Sequence, residues 1–321
     1  MANQSLPCAV GIDIGGSSIK VGLVIDSGRL LHQRTLPIDR QDVQGLIKVV
    51  LEVIKQFQIA HQISSIGIAS TGIVDSEQGV ILQSTTIRDY DGTNWKSIVS
   101  RYYDLPVYVE NDVNAAAWGE FKSTSLPSIG TMSLIAIGTG IGCGLIVDGK
   151  IWRGTGYAAG EIGYITINVD GPEYNGNVGC LEYYAAAPSI VNYVRERIDA
   201  GHESVIISLT HGDRDLISLP IIKQAEDKGD RLAREAFEFA GKMLGVGIVN
   251  LVNLFNPRMV ILGGGVVDAS ETYTKAAKSL AMRRILRSAC VGLEIVTAQL
   301  GNNAAVVGAG LLALDAVNGS M

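Results

Sequence analysis

Charged side chains are scarce in this sequence, because Asp, Glu, Lys and Arg make up 18% of its 321 residues. Ordinary globular chains have roughly 25%. The balance is also acidic, with a net charge of −6. Nucleic-acid binding needs a basic face that neutralises phosphates, so the composition argues against a nucleic-acid partner. A basic cluster at Arg283, Arg284 and Arg287 is interpreted as a solvated helix face.

Cysteines are few and widely separated, at Cys8, Cys143, Cys180 and Cys290. They form no Cys-x-x-Cys pair, and the N-terminus lacks the basic and apolar regions of an export signal. We therefore expect free thiols in a reducing compartment, with a cytoplasmic location.

A membrane span is also not expected, although residues 123–147 contain no charged side chain. That segment is long enough to cross a bilayer, but it holds five glycines, a proline and several hydroxyl residues. This composition predicts a soluble β-hairpin instead of a membrane helix.

Glycine is abundant, with 38 residues against an average of about 7%. The glycines stand beside short apolar runs, in neither a collagen repeat nor a low-complexity block. Because glycine lets the backbone approach a ligand closely, the pattern predicts binding turns at the ends of strands.

Two segments, 9–24 and 134–147, each predict a β-hairpin with a turn of Gly, Ser and Thr. They lie about 125 residues apart, which resembles a duplicated domain. Elsewhere strands and helices alternate, which favours an α/β fold. The predicted helices cover 41–57, 111–121, 229–255 and 302–317, and the predicted strands cover 63–69, 106–110 and 258–262. We predict an N-terminal domain at 1–120, to which 302–321 returns, and a larger C-terminal domain at 121–301.

The turn after the first predicted strand reads Asp-Ile-Gly-Gly-Ser-Ser from Asp13 to Ser18. Phosphate is held by backbone N–H groups, and large side chains would obstruct them. The preceding carboxylate can lie beside a hydrated Mg²⁺ ion. A second turn, Gly138-Thr139-Gly140, has the same character but lacks the Lys of a Walker A loop. An ordinary glycine hairpin remains the alternative for both.

Glu110-Asn111-Asp112 stands where a predicted strand meets a predicted helix. Ligands in α/β folds bind at the carboxyl ends of strands, and a carboxylate there can accept a hydroxyl proton. The alternative is that Asn111 or Asp112 only caps the helix.

Two further carboxylates, Glu161 and Glu182, stand close to glycines and have the chemistry to bind sugar hydroxyls. A surface ion pair is the alternative for each. Gly263-Gly264-Gly265 follows a predicted buried strand. This glycine segment can form a flat surface against which an adenine ring packs, or it can form a crowded strand-to-helix turn.

The order of these motifs closely resembles the ROK family of sugar kinases and repressors, from about residue 9 to residue 313. The series is Asp-x-Gly-Gly, Ser-Thr-Gly, Glu-Asn-Asp, Gly-Thr-Gly-x-Gly, Ala-Gly-Glu-Ile-Gly, Gly-Cys-Leu-Glu and Leu-Gly-Gly-Gly. The resemblance implies an α/β, two-domain actin-like ATPase (ribonuclease H-like) fold with an inter-domain cleft. It also implies an ATP-dependent kinase for a hexose or hexose derivative, acting at the 6-hydroxyl as a glucokinase does.

The resemblance assigns roles by position, with Asp112 as the general base and with Mg-ATP and a sugar as ligands. The positions that match the sugar site are Gly72, Asn111, Asp112, Glu161, Tyr164 and Glu182. The positions that match the nucleotide site are Asp13, Gly15, Gly16, Ser17, Ser18, Lys20, Gly138, Thr139, Gly140, Gly263, Gly264 and Gly265. A homodimer, with no membrane or nucleic-acid partner, is the expected assembly.

The sequence departs from the family at the structural zinc site that many members carry. The four ligand positions are Tyr164, Glu173, Asn175 and Cys180, so one of four Cys or His ligands remains. A structural zinc almost always has four such ligands, so we expect no zinc. Tyr164 replaces a His that also contacts the sugar in the family, so glucose, N-acetylmannosamine, allose and β-glucosides stay open as substrates.

Two rival functions remain within the same resemblance. One is a sugar-responsive repressor, which would carry a helix-turn-helix domain ahead of the first hairpin, where only about ten residues stand here. The other is a non-catalytic, filament-forming actin-like protein, which would not need the Asn111-Asp112 pair.

Overall fold

The structure is a computed structural model that describes residues 7–124 and 130–319. The chain forms two compact units. The first unit comprises Met1–Gly130, Gly144–Ala159 and Gln299–Met321, and the second comprises Thr131–Cys143 and Gly160–Ala298. The domain boundaries predicted from sequence stay a prediction, and the two units are described separately.

Two five-stranded sheets dominate the described residues, in the orders β3-β2-β1-β4-β7 and β10-β9-β8-β13-β14. The strands are β1 (Cys8–Ile14), β2 (Ser18–Ile25), β3 (Leu30–Pro37), β4 (Ser65–Ser70), β5 (Ile73–Asp75), β6 (Val80–Gln83), β7 (Val107–Asn111), β8 (Met132–Ile137), β9 (Ile141–Val147), β10 (Lys150–Ile151), β11 (Glu173–Tyr174), β12 (Asn177–Val178), β13 (Met259–Gly263) and β14 (Glu294–Thr297).

Eleven helices accompany the strands in the residues that the structure describes. They are α1 (Val43–Ala60), α2 (Trp95–Ser100), α3 (Asp112–Ser123), α4 (Leu181–Ala185), α5 (Ala187–Asp199), α6 (Val205–Leu209), α7 (Leu219–Asp227), α8 (Arg231–Phe255), α9 (Gly265–Ala269), α10 (Glu271–Arg284) and α11 (Ala304–Val317).

In the first unit, the sheet is mixed, with β1 antiparallel to β2 and parallel to β4, and β4 parallel to β7. Every residue of β1 is buried, as is expected of a central strand that is apolar except for Asp13. The apolar face of α1 joins the core of this sheet, and α1 begins where the Asp42 carboxylate accepts from the Gly45 N–H.

Helix α11 lies directly against β1 and β4 in the first unit. The contact needs glycine in the sheet, since a Cβ on Gly67 would lie 1.9 Å from the carbonyl oxygen of Ala309. A Cβ on Gly11 would lie 2.1 Å from the carbonyl oxygen of Val306. Both glycines therefore serve close packing between helix and sheet.

In the second unit, β13 is parallel to both β8 and β14. Helix α8 packs against α10 and α4. It begins with an Asp230 cap and ends at Asn256, whose left-handed backbone has a φ of 44°. Helix α8 is long and apolar enough to cross a membrane by length and composition, but half of its most apolar window is buried. Its packing makes it the core helix of this unit.

The mixed α/β class and the two Gly-rich hairpins predicted from sequence are confirmed. Each predicted helix and strand is also present, with ends that differ by at most three residues. Residues 125–129 of the uncharged 123–147 segment lie outside the described residues, and the segment otherwise contains β8 and β9. The short elements between β9 and α8 had no counterpart among the predictions.

Candidate functional site

Asp13 lies at the end of β1, where the chain turns back into β2. The turn is closed by the Gly15 N–H, which donates to the Ser18 carbonyl at 3.0 Å. Asp13 is 8% exposed. Burial raises the pKa of its carboxyl group, and the nearby Lys20 ammonium opposes that rise. The turn thus places a buried acid next to small residues at a strand end.

Lys20 is held inside the first unit by two groups. Its ammonium lies 3.5 Å from Asp13 Oδ2 and donates to the Asn302 carbonyl at 2.8 Å. Of the neighbouring predicted residues, Ser17 accepts a hydrogen bond at its carbonyl from the Ile38 N–H. Gly16 lies close to Thr86, whose Cγ2 would be 2.8 Å from an added Cβ.

Asn111 is the N-cap of α3, and its side chain also reaches a neighbouring turn. The side-chain oxygen accepts from the N–H groups of Val113 and Asn114, at 2.9 and 3.0 Å. The side-chain amide donates to Gly72 O and to Asp112 Oδ1, both at 3.0 Å. Gly72 has a φ of +98°, and an added Cβ would lie 2.4 Å from the Gln83 carbonyl, so this turn requires glycine.

Asp112 is the first residue of α3, and its Oδ1 accepts from the Val113 N–H at 2.9 Å. Its pKa is raised to about 7, first by burial and then by the negative charge of Asp13, while hydrogen bonds from Val113 and Asn111 oppose the rise. A carboxyl group with that pKa can take up a proton near neutral pH. The first unit therefore brings Asp13, Gly72, Asn111 and Asp112 into one polar cluster.

Glu110 and Arg153 form an ion pair that adjoins this cluster. This pair was not predicted from the sequence. Glu110 is 3% exposed, and its Oε2 lies 2.6 Å from Arg153 Nη2 and 2.8 Å from Arg153 Nε. Its Oε1 accepts from the Asn111 N–H at 3.0 Å and from Asn114 Nδ2 at 3.1 Å. Arg153 Nε also lies 3.1 Å from Ser76 Oγ. No local pattern signals this pair, because its members are 43 residues apart.

Tyr90 is a second buried group close to Asp112 that the sequence did not reveal. Its hydroxyl lies 2.8 Å from Ser70 Oγ and accepts from Trp95 Nε1 at 2.7 Å. Burial is the main cause that raises the pKa of Tyr90 to about 12, with Asp112 adding to the rise. Tyr90 therefore stays neutral beside the carboxylate.

In the second unit, Gly138, Thr139 and Gly140 form the turn between β8 and β9. The Gly138 N–H donates to the Gly140 carbonyl at 2.9 Å. Glu182 Oε2 accepts from the Ile141 N–H at 2.7 Å, directly after this turn. An added Cβ on Gly140 would lie 2.6 Å from the same oxygen. One oxygen of Glu182 therefore fixes the turn.

Glu161 and Tyr164 lie near Glu182 in the second unit. Partial burial and then the charge of Glu182 raise the pKa of Glu161. Burial, Glu182 and Glu161 raise the pKa of the Tyr164 hydroxyl in the same way. Glu161 and Tyr164 stand on either side of Gly163, whose added Cβ would lie 3.2 Å from Glu182 Oε2, so the three side chains lie close together and can hydrogen-bond to a hydroxyl-rich ligand.

Gly263, Gly264 and Gly265 connect β13 to α9, the strand-to-helix turn that the sequence left as one alternative. Gly264 has a φ of +95°, and an added Cβ would lie 2.4 Å from the Ile137 carbonyl. Among the described residues, no atom other than those of the chain neighbours and the backbone of α9 lies within 4 Å of a Cβ on Gly265. The turn is thus crowded at Gly264 and open at Gly265.

The positions that match the family's zinc ligands lie on a tyrosine-rich segment of the second unit. Asn175 and Gly176, with φ of 49° and 78°, form the two-residue turn between β11 and β12. Cys180 is buried, and Asn177 Nδ2 donates to the Tyr164 carbonyl. Within residues 7–124 and 130–319, no group of three or more His, Cys, Asp or Glu side chains is arranged to hold a metal ion.

Comparison with known proteins connects both units to one family. A family model described as "ROK family" matches residues 9–316. A glucokinase from Streptomyces coelicolor is 31% identical over 310 residues, which cover 95% of this chain and 97% of the relative. A xylose repressor from Caldicellulosiruptor bescii is 29% identical over 313 residues, which cover 95% of this chain and 78% of the relative.

A solved structure supports the same relationship. The ROK family glucokinase from Streptomyces griseus, in complex with glucose and AMPPNP, has a TM-score of 0.83 and 32% identity. The match covers 96% of this chain and 99% of that chain. The mixed α/β architecture with two sheets is thus the actin-like ATPase fold of the ROK kinases.

Proposed function

The chain belongs to the ROK family, and from that premise we propose that it is an ATP-dependent kinase that phosphorylates the 6-hydroxyl of a hexose. The observation that carries the proposal is Asp112, a carboxyl group with a pKa of about 7 held by Asn111 next to Asp13. A helix cap alone would not need this carboxyl group to titrate near neutral pH.

Asp112 acts as the general base in this mechanism. Its carboxylate accepts the proton of the sugar hydroxyl while the hydroxyl oxygen attacks the γ-phosphorus of ATP. The new O–P bond forms as the bond between the γ-phosphorus and the bridging oxygen breaks, and ADP leaves. A base with a pKa near the working pH combines an adequate ionised fraction with adequate basicity.

We assign the nucleotide to the two Gly-rich turns and to the strand-to-helix turn. The β1–β2 turn, with Gly15, Gly16, Ser17 and Ser18, and the β8–β9 turn, with Gly138, Thr139 and Gly140, have the small residues that phosphate-binding backbones need. Gly263, Gly264 and Gly265 are assigned to the adenosine. Lys20 is assigned to the nucleotide site indirectly. Its ammonium is held by Asp13 and by the Asn302 carbonyl, so it contributes by positioning the Asp13 carboxylate.

The residues present also fit the Mg²⁺ of Mg-ATP. Kinase-bound Mg²⁺ is usually held by one or two carboxylates and the substrate phosphates, and it keeps several waters. Asp13 is such a carboxylate at the end of β1, and its charge repels that of Asp112. We propose that Asp13 holds the ion, which when bound neutralises phosphate charge.

By resemblance to the family, we assign Gly72, Asn111, Glu161, Tyr164 and Glu182 to sugar binding. Carboxylate, amide and phenol groups are directional partners for hydroxyls. Glucose is the first candidate, because it is bound in the Streptomyces griseus relative. Tyr164 stands where many family members have His, so we propose a hexose preference that differs from that of the zinc-bearing members.

We also propose that the enzyme works as a cytoplasmic homodimer. The end of α8 supports a self-contact, because Leu254 is 78% exposed and Phe255 is 40% exposed. Size-exclusion chromatography with light scattering would test it, and a monomer mass at micromolar protein concentration would contradict it.

ADP release in the presence of Mg-ATP and a hexose panel tests the proposed function. We expect glucose or a related hexose to raise turnover at least about tenfold over the sugar-free rate, because an enclosed site reserves the γ-phosphoryl group for its acceptor. The panel should contain glucose, mannose, allose, N-acetylmannosamine and a β-glucoside. ADP release that is the same with and without every sugar would contradict the proposal.

A sugar-responsive regulator is the second candidate, favoured by the 29% identity to the xylose repressor. Such a protein would bind a sugar without turning over ATP. Calorimetric titration with the same panel separates the two functions, since sugar binding without sugar-dependent ADP release would favour the regulator.

A further inference from the structure

We propose that the buried Glu110–Arg153 ion pair is a positioning device for the phosphoryl-transfer site, one that holds Asn111 and Asp112 in their working geometry. The inference rests on the proposed function, because it assigns the pair a part in the same reaction. Neither residue is expected to touch the sugar or the nucleotide, so both are positioning residues.

The two oxygens of Glu110 point to this role because they serve different elements. Oε1 accepts from the backbone N–H of Asn111 and from Asn114 Nδ2, at 3.0 and 3.1 Å, at the start of α3. Oε2 receives the guanidinium of Arg153, with contacts of 2.6 and 2.8 Å. One carboxylate thus joins the helix that carries Asp112 to the segment that follows β10.

Arg153 is itself fixed in position. Its Nε lies 3.1 Å from Ser76 Oγ, and its carbonyl accepts from the Ala159 N–H at 3.0 Å. The preceding residue is held by the Trp152 N–H, which donates to the Leu145 carbonyl at 2.8 Å. A guanidinium presents a planar fork that a single ammonium cannot reproduce, so the contact fixes the direction of the carboxylate as well as its charge.

The surroundings of Glu110 favour the pair. Glu110 is 3% exposed and borders a cavity of about 360 Å³ whose wall is mainly apolar, with Lys96 and Lys150 also lining it. Without Arg153, the carboxylate would have to find water or turn toward one of these lysines and away from Asn111. Rotation of Glu110 would remove the acceptor of the Asn111 N–H.

Displacement of Asn111 would also displace the proposed base and the proposed sugar-binding turn. The Asn111 amide donates to Asp112 Oδ1 and to Gly72 O, both at 3.0 Å. Asn111 therefore transmits the position of Glu110 to the proposed base and to the proposed sugar turn. A displacement of about 1 Å in such a site can cost on the order of 10²-fold in rate.

The test compares steady-state kinetics of Arg153→Met with those of Lys150→Met. Lys150 is an exposed cation at the start of β10 that lines the same cavity, and its side chain has no hydrogen bond or ion pair in the described part of the chain, so it is the matched control. We expect Arg153→Met to lower kcat at least about tenfold, with KM for ATP within about twofold of the parent value. Lys150→Met should leave both constants within about twofold.

A rescue separates positioning from general destabilisation. In the double variant Arg153→Met with Glu110→Gln, the amide oxygen still accepts from the Asn111 N–H, and no buried charge lacks a partner. We expect its kcat to exceed that of Arg153→Met at least about threefold. Arg153→Lys, which keeps the charge without the fork, should fall between the parent and Arg153→Met and serves if Arg153→Met does not fold.

Thermal melting of each variant completes the test. A folded Arg153→Met protein with kcat within about twofold of the parent would overturn the positioning role, as would a double variant with no recovery. A parent protein without sugar-dependent ADP release would instead overturn the proposed function, and that measurement is made first.

Discussion

At the residue scale, Asn111 is the N-cap of α3, and general-base catalysis by the neighbouring Asp112 stays a proposal. The sequence left helix capping and general base catalysis as alternatives for Asn111 and Asp112. In the structure, Asn111 is the cap, and Asp112 follows it with one oxygen bound to the Val113 N–H. The cap keeps the carboxyl group at the helix start, while burial and Asp13 raise its pKa to about 7.

The pKa of Asp112 predicts the acidic limb of the pH profile. A general base must be ionised, so kcat/KM should be half-maximal near pH 7 and fall about tenfold for each pH unit below it. Initial rates from pH 5 to pH 9, at limiting Mg-ATP and limiting sugar, measure this limb, because Asp13 holds no ion in the free enzyme. A limb near pH 4, in the ordinary pKa range of an aspartic acid, would show either that the pKa of Asp112 is not raised or that Asp112 is not the base.

At the same scale, Glu182 shows what a sequence motif does not reveal. The family resemblance assigns it to the sugar, which stays a prediction, and the structure adds that its Oε2 accepts from the Ile141 N–H next to the β8–β9 turn. Glu110 belongs to the same Glu-Asn-Asp motif as Asp112, but the motif predicted no role for it. Its partner Arg153 comes from a distant segment, so only tertiary structure could reveal the pair.

At the scale of elements, the hairpins and the main helices follow from local chemistry. Strand β1 is a buried run, apolar except for Asp13, that ends at a glycine turn, and α8 is bounded by an Asp230 cap and Asn256-Pro257. In residues 162–227, α5 and α7 are amphipathic, whereas the two-residue strands and the one-turn elements are too short to show a period. Their positions depend on contacts such as the hydrogen bond from Asn168 Nδ2 to the Tyr184 hydroxyl, at 3.0 Å, which no local pattern predicts.

The contact between α11 and the first sheet predicts a strong effect of one methyl group. Gly67→Ala should lower the free energy of unfolding by about 1 to 3 kcal/mol or more, because its Cβ would lie 1.9 Å from the Ala309 carbonyl. Gly156→Ala is the matched control in the first unit, since no atom lies within 4 Å of its Cβ. Urea unfolding measures both variants, and equal midpoints would contradict the packing.

At the scale of the whole molecule, two five-stranded sheets with related Gly-rich hairpins support the duplicated pattern seen in the sequence. A glucokinase and a xylose repressor each match 95% of this chain, so family membership alone does not decide between catalysis and sugar sensing. The decision rests on the chemistry of the site, above all on Asp112 and its neighbours.

The most direct test of the central claim is the rate of ADP release with Mg-ATP and the best hexose at pH 8, for the parent and for Asp112→Asn. Asparagine keeps the shape and hydrogen bonds of the side chain but cannot take up the proton. We predict sugar-dependent turnover in the parent and a loss of about 10²- to 10⁴-fold in the variant, with sugar affinity by calorimetry unchanged within about threefold. Near-parental turnover by Asp112→Asn would contradict the account.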